Sequence, residues 1–204
     1  MKKLQLFIDF DEVMVNSIDS VLLILNKRYS ANYSYRDCRR WDFTDLFSEI
    51  TKEEITECFE SDEFWEALTF KDSLLNFLNE LRVFYNIVIV SRGTKLNLEK
   101  KEKWLKEHLD VPYKFVPVRE NESKGIIDMD GGVQIDDNQF NLAETNATYK
   151  ILFWGGDCFT DWNDRWDGVV MDSFSNETIL NALTSIVLLQ DGYLQDEPFS
   201  EKKM

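Results

Sequence analysis

The chain has 204 residues, 44% of them hydrophobic and 30% charged. That is room for one α/β domain with a sizeable core and a small appended unit, and it argues against disorder. The formal net charge of −15 repels phosphate backbones and anionic membranes, which speaks against polymeric nucleic acid or a membrane as partner.

Residues 4–10, LQLFIDF, read as a buried strand running into acids. From Ser17 to Tyr29, the apolar positions Ile18, Val21, Leu22, Leu25 and Tyr29 follow helical spacing. Residues 30–70 are polar, aromatic and helical in pattern; Thr51 with Glu54 makes a capping box opening a helix through Phe59. An amphipathic helix is predicted over 72–84, with Leu74, Leu75, Leu78 and Leu81 on one side. The β-branched run NIVIV, residues 86–90, predicts a central parallel strand. SRGTK follows, then a charged helix over about 96–109.

Strands are predicted at 113–118, 132–135, 149–153 and 168–171, and helices at about 138–146 and 175–188. A loop rich in Trp, Gly and Asp spans 154–167, and a polar tail spans 190–204. The alternation predicts an α/β fold: a Rossmann-like, doubly wound parallel sheet with a small helical cap inserted after strand 1. The expected division is a core of 1–16 and 71–189, a cap of 17–70, and a flexible tail of 190–204.

Cysteine and histidine narrow the chemistry. Cys38, Cys58 and Cys158 form no CxxC pair, so free thiols in a reducing cytosol are expected. The only histidine, His108, lies near the end of a Lys/Glu-rich helix, which speaks against His clusters and a Ser-His-Asp triad. General acid–base work then falls to carboxylates. The opening apolar run is too short for a signal peptide or membrane span, and no run approaches 18 apolar residues; the protein is expected to be soluble and cytoplasmic.

In an open parallel sheet, ligands bind beyond the carboxyl ends of the strands. The residues falling there are Asp9 and Asp11, then Ser91, then Asp136 and Asp137. Four acids converging would repel one another, so a cation belongs among them. An oxygen-only donor set suits Mg²⁺ and disfavours zinc. Mg²⁺ in turn suits a small phosphorylated substrate.

At these residues the chain resembles the haloacid dehalogenase superfamily. IDFDEV, residues 8–13, is similar to its first motif, Ser91 after VIV to its second, and Lys124 with Asp136-Asp137 to its third and fourth. The WDF of 41–43, EFWEAL of 63–68 and ILF of 151–153 add a narrower resemblance to the 5′(3′)-deoxyribonucleotidases. It covers about residues 4–185.

The resemblance implies a Mg²⁺-dependent phosphomonoesterase with an aspartyl-phosphate intermediate, acting on (deoxy)nucleoside monophosphates. Asp9 would be the nucleophile and a metal ligand. Asp11 would be the general acid and base, with its carbonyl on the metal. Asp137 would ligate the metal directly, with Asp136 behind it. Ser91, Lys124 and Lys95 would hold phosphoryl oxygens; Arg92, a departure from the family pattern, is read separately as a contact for a second anionic group. Trp41, Phe43, Phe64 and Trp65 are read either as cap core or as a base-stacking wall. A homodimer is compatible with this reading.

Two alternatives remain: a phosphatase of the same fold for another small metabolite such as a phosphosugar, and a non-catalytic domain that binds a phosphorylated ligand or partner. The chain departs from the family pattern at Glu12, where Gly is usual, at Arg92-Gly93, and at Phe70-Lys71-Asp72-Ser73, which replaces a Pro-Gly.

Overall fold

Six short runs rich in Val, Ile, Leu and Phe form the strands: β1 (Leu4–Ile8), β2 (Tyr85–Gly93), β3 (Tyr113–Arg119), β4 (Val133–Asp136), β5 (Tyr149–Phe153) and β6 (Val169–Met171). The computed structural model describes residues 3–154 and 163–190. The strands make one sheet in the order β3-β2-β1-β4-β5-β6, and every pairing is parallel. A parallel sheet is covered on both faces, which is why its central strands are mostly apolar. Successive side chains of β1 show the two faces. Leu6 and Ile8 enter the larger core with Ile87, Ile89, Val133 and Ile135, while Phe7 packs with Val88, Val90 and Val118 opposite. Each such side chain contributes about 1.5–3 kcal/mol by burial.

Of the four α-helices between β1 and β2, the first three form the insert: α1 (Ser17–Tyr29), α2 (Lys52–Glu60) and α3 (Asp62–Ala67). The capping box of α2 forms as expected. Thr51 Oγ1 accepts from the Glu54 amide at 3.2 Å, and a Glu54 carboxylate oxygen accepts from the Thr51 amide at 3.0 Å. Ser61 ends α2 and caps α3, its hydroxyl accepting from the Phe64 amide at 3.2 Å. The base of this insert is pinned by the main chain. Asn16 N–H donates to Thr69 O at 3.0 Å, Lys71 N–H donates to Met14 O at 2.9 Å, and Val15 bridges Phe70 antiparallel.

The remaining helices are α4 (Leu74–Leu81), α5 (Lys95–His108), α6 (Gln139–Glu144) and α7 (Glu177–Gln190). Helix α4 starts later than the expected 72, because Ser73 has a left-handed backbone, φ 65°. Strand β2 runs past the expected 90, because its pairing with β3 continues from Ser91↔Pro117 to Gly93↔Arg119. Ser91 therefore sits inside the strand. Most of the 154–167 loop, Cys158 and the tail beyond 190 fall outside the described residues. Cys38 and Cys58 are buried thiols not joined in a disulfide with a described residue.

Strand β1 has β2 on one side and β4 on the other. The chain winds outward in both directions from there, which opens a crevice at the carboxyl ends of β1 and β4.

Candidate active site

β1 ends at Ile8, and the next residue, Asp9, enters that crevice with 7% exposure. Its amide donates to Ile135 O at 3.0 Å, which ties the loop to the end of β4. β4 ends in Asp136, followed by Asp137. One oxygen each from Asp9, Asp136 and Asp137 lie within 4.8 Å of one another. Positions 9 and 137 thus meet at one rim of the sheet.

Lys124 closes the group from the side. It opens a 3₁₀ turn, Lys124–Ile126, and is 1% exposed. Its Nζ lies 2.8 Å from Asp9 Oδ1 and 2.7 Å from Asp136 Oδ2. Burial opposes its charge, but Asp136 and Asp9 outweigh that and push its pKa upward. Asp136 is held further by the Asn138 amide at 3.1 Å and Asn141 Nδ2 at 2.9 Å, both on Oδ1. Burial and the neighbouring Asp136 and Asp9 drive the Asp137 carboxyl well above its usual range. Asn163 braces this loop: its Nδ2 donates to Asp137 O at 2.8 Å, and its Oδ1 accepts from the Gln139 amide at 3.1 Å.

The donor set is carboxylate oxygen alone. Asp9 Oδ1 is buried, near Lys124 yet without a hydrogen bond of good geometry. Both features fit a hard divalent cation and not zinc. The Asp11 carboxylate stands apart from this trio. Its Oδ2 is paired with Lys101, and its Oδ1 is buried without a hydrogen-bond partner. Burial raises the Asp11 pKa, with Lys101 opposing and Asp9 adding.

Lys101 was not among the expected site residues. It is 1% exposed on α5, and its ammonium also donates to Ser91 Oγ at 2.8 Å and to Arg92 O at 3.3 Å. A signal existed: Leu98, Lys101, Trp104 and Leu105 stand at helical spacing, and all four are buried. Ser91 itself is fully buried beneath Lys101.

A cavity of about 680 Å³ opens over these groups, within the range of small-molecule sites. Asp9, Asp11, Lys101, Lys124 and Asp137 line its floor, and Trp41, Ile50, Ile55 and Phe59 from the insert line its roof. Arg92 lies on its wall. Three expected substrate contacts fall elsewhere. Lys95 is a surface residue, its side chain 72% exposed and 3.8 Å from Glu99 one turn on; it sits at the first position of α5, turned from the face that carries Lys101. Phe43 is fully buried. Trp65 packs on Phe64 and Phe10, with ring centroids 5.1 and 6.4 Å away. The insert has no sheet to fold around, so most of its aromatic rings form its core; of the expected aromatic contacts Trp41 lines the cavity, beside Phe59.

Comparison with known proteins places this geometry. The family model described as 5′ nucleotidase, deoxy (Pyrimidine), cytosolic type C protein matches residues 2–160. The chain belongs to this family. It is 29% identical over 158 residues to a 5′(3′)-deoxyribonucleotidase of Clostridium acetobutylicum, covering 75% of this chain and 83% of that relative. Among solved structures, the fold matches a haloacid dehalogenase family hydrolase of Deinococcus radiodurans, with bound phosphate and sodium. There the TM-score is 0.59 at 14% identity, over 90% of this chain and 97% of that one. A haloacid dehalogenase-like protein of Streptococcus pneumoniae matches at TM-score 0.57 and 14% identity, over 83% and 94%. As a member of this nucleotidase family, the protein is a phosphomonoester hydrolase of the haloacid dehalogenase type. No helix among the described residues is long and apolar enough to cross a membrane.

Proposed function

We propose that the protein removes the phosphate of (deoxy)nucleoside monophosphates, with Mg²⁺ bound and through an aspartyl-phosphate on Asp9. The observation that carries this reading is the arrangement at the end of β1. Asp9 and Asp11 stand two residues apart, each against its own buried lysine, on the floor of a cavity roofed by aromatic and aliphatic side chains.

Asp9 and Asp137 would hold the metal through their carboxylates and Asp11 through its main-chain carbonyl, with Asp136 behind them. When bound, Mg²⁺ supplies positive charge that neutralises the phosphoryl oxygens. The Asp9 carboxylate attacks phosphorus and the bond from phosphorus to the nucleoside oxygen breaks. Asp11 gives its proton to that oxygen, and its raised pKa favours carrying one. Asp11 then takes a proton from a water whose oxygen attacks phosphorus, releasing inorganic phosphate and restoring Asp9. Lys124 holds the nucleophile and offsets phosphoryl charge. Trp41 and Phe59, 6.2 Å apart, offer the base a stacking wall. The matched family is described as cytosolic, and this reading places the protein in the cytoplasm.

The test is phosphate release from a panel of nucleoside and sugar monophosphates, in Mg²⁺ and in EDTA, beside Asp9→Asn. Release that needs Mg²⁺, favours nucleotides, and falls at least ~10³-fold in the variant is the expected result. An Asp9→Asn protein as active as the wild type overturns the mechanism.

A further inference from the structure

We infer that Lys101 is a positioning residue for proton transfer, holding Asp11 and Ser91 together in the geometry that lets Asp11 protonate the leaving oxygen. The inference rests on the phosphatase reading above and adds a residue to it.

A lysine is rarely buried without a purpose, because taking an ammonium out of water is costly unless each N–H finds an acceptor. Lys101 is 1% exposed and has three acceptors: Asp11 Oδ2, Ser91 Oγ at 2.8 Å and Arg92 O at 3.3 Å. Its Nζ also lies 5.4 Å from the Phe10 ring centroid. A salt bridge serving only stability would need one acid. Here the same ammonium joins three segments: the loop after β1 through Asp11, the end of β2 through Ser91 and Arg92, and helix α5, which carries it.

The direction of these bonds matters. Ser91 accepts from Lys101, so its hydroxyl keeps its own hydrogen for another acceptor, and the phosphoryl group is the acceptor the site is built for. Asp11 is held by Oδ2 alone, while its buried Oδ1 has no hydrogen-bond partner. The carboxylate is thus fixed at one end without both oxygens being occupied. Lys124 is a different case, since its partners are Asp9 and Asp136. The two buried lysines divide the work: Lys124 serves the nucleophile and Lys101 the proton donor.

In the step concerned, the bond from Asp9 to phosphorus forms, the bond from phosphorus to the leaving oxygen breaks, and the Asp11 proton passes to that oxygen. A leaving group that departs as a stable anion does not need the proton. The discriminating measurement is therefore kcat/KM, which ends at release of the alcohol, for two substrates: a nucleoside 5′-monophosphate and p-nitrophenyl phosphate. Lys101→Met is expected to lower kcat/KM about 10²-fold on the nucleotide, the scale of general acid catalysis, and by tenfold less on p-nitrophenyl phosphate. Equal losses on both substrates overturn the inference, and so does no loss on either.

Lys101→Gln, which retains a hydrogen-bond donor, guards against a folding defect and should show the same split in milder form. If both variants fail to fold, the wild type and Ser91→Ala decide. Removing the hydroxyl that shares the ammonium should leave a leaving-group preference measurably altered from the wild type, and an unaltered preference overturns the inference. A wild type without Mg²⁺-dependent activity on any substrate is a separate outcome, which removes the phosphatase reading itself.

Discussion

Glu12 and Lys71, 59 residues apart in sequence, form an ion pair of 3.0 Å beneath the base of the insert. Glu12 is 4% exposed and has φ 53°, a left-handed backbone that glycine adopts more easily. Its second oxygen accepts from the Ile18 amide at 2.7 Å and from the Ser17 hydroxyl at 3.3 Å. The carboxylate thus caps α1, whose own N-cap residue, Asn16, makes no side-chain bond to the helix. The residue standing where the family usually has glycine is bound on both sides, and joins the two chain crossings at the neck of the insert.

This pair should be asymmetric under mutation. Lys71→Met leaves a buried carboxylate without its cation and is expected to cost about 2 kcal/mol, below the usual range for buried pairs because Lys71 is partly exposed. Glu12→Gln leaves Lys71 able to reach water, and should cost about half as much. The double variant should be more stable than Lys71→Met alone. Urea unfolding of the three proteins measures this. Equal losses from the two single changes would contradict the burial argument.

Burial raises the carboxyls of Asp11, Asp136 and Asp137 above their unfolded value of 3.8, with like charges adding and the buried lysines opposing. A carboxyl whose folded pKa is raised binds protons more readily in the folded protein. Its ionisation therefore costs stability above the folded pKa, and the cost is relieved as pH falls through that value towards 3.8. Asp37, Asp42, Glu54 and Asp128 have lowered pKa values and act in the opposite sense, but only in more acid solution, and they lie near or at the surface. The metal-free protein is expected to gain stability as pH falls from neutrality through the raised pKa values of these carboxyls. Mg²⁺ at 100 times its dissociation constant should add about 2.7 kcal/mol at neutral pH and flatten that dependence. Urea midpoints across this pH range, with EDTA and with Mg²⁺, check both.

The strands, their parallel sense and the meeting of Asp9 with Asp137 were legible because apolar runs ending in acids have a strict meaning in an open α/β sheet. What failed to show was direction within helices and loops. Lys95 and Lys101 occupy the same charged helix, and only the periodicity through Leu98 and Leu105 distinguishes the outward lysine from the buried one. Phe43 and Trp65 share the aromatic character of Trp41. Which ring faces the cavity depends on how a sheetless insert fills its interior, and residue type does not carry that. Asn163 was invisible for another reason: its role comes from main-chain contacts across the site, to Asp137 and Gln139.

The difference between Trp41 and Phe43 should appear as two unlike defects. Trp41 is 46% exposed at the cavity roof, and Phe43 is fully buried. Trp41→Ala removes a stacking surface, so KM for nucleotides should rise about tenfold, with kcat nearly unchanged, on a scale of about 1–3 kcal/mol for base stacking. Phe43→Ala opens a hole in the insert and should cost about 3–5 kcal/mol of stability. Steady-state kinetics and thermal unfolding of both variants separate them. A large KM defect at Phe43 in a protein of normal stability would return that ring to the substrate.

Arg92 and Lys95, three residues apart, make the corresponding test for charge. Arg92 lies on the cavity wall at the end of β2, while Lys95 faces solvent beside Glu99. In a protein of net charge −15, an anionic substrate approaches against the overall field, so a cation at the mouth should matter most for association. Arg92→Ala is expected to raise KM about five- to tenfold, an effect that weakens as salt rises because the group is exposed to screening. Lys95→Ala should leave kcat/KM within about twofold and change stability by no more than about 0.5 kcal/mol, the scale of an exposed i,i+4 pair. KM for both variants at low and high ionic strength decides it. A salt-sensitive KM defect at Lys95 and none at Arg92 would reverse the assignment, and would mean that α5 turns a different face to the ligand when substrate is bound.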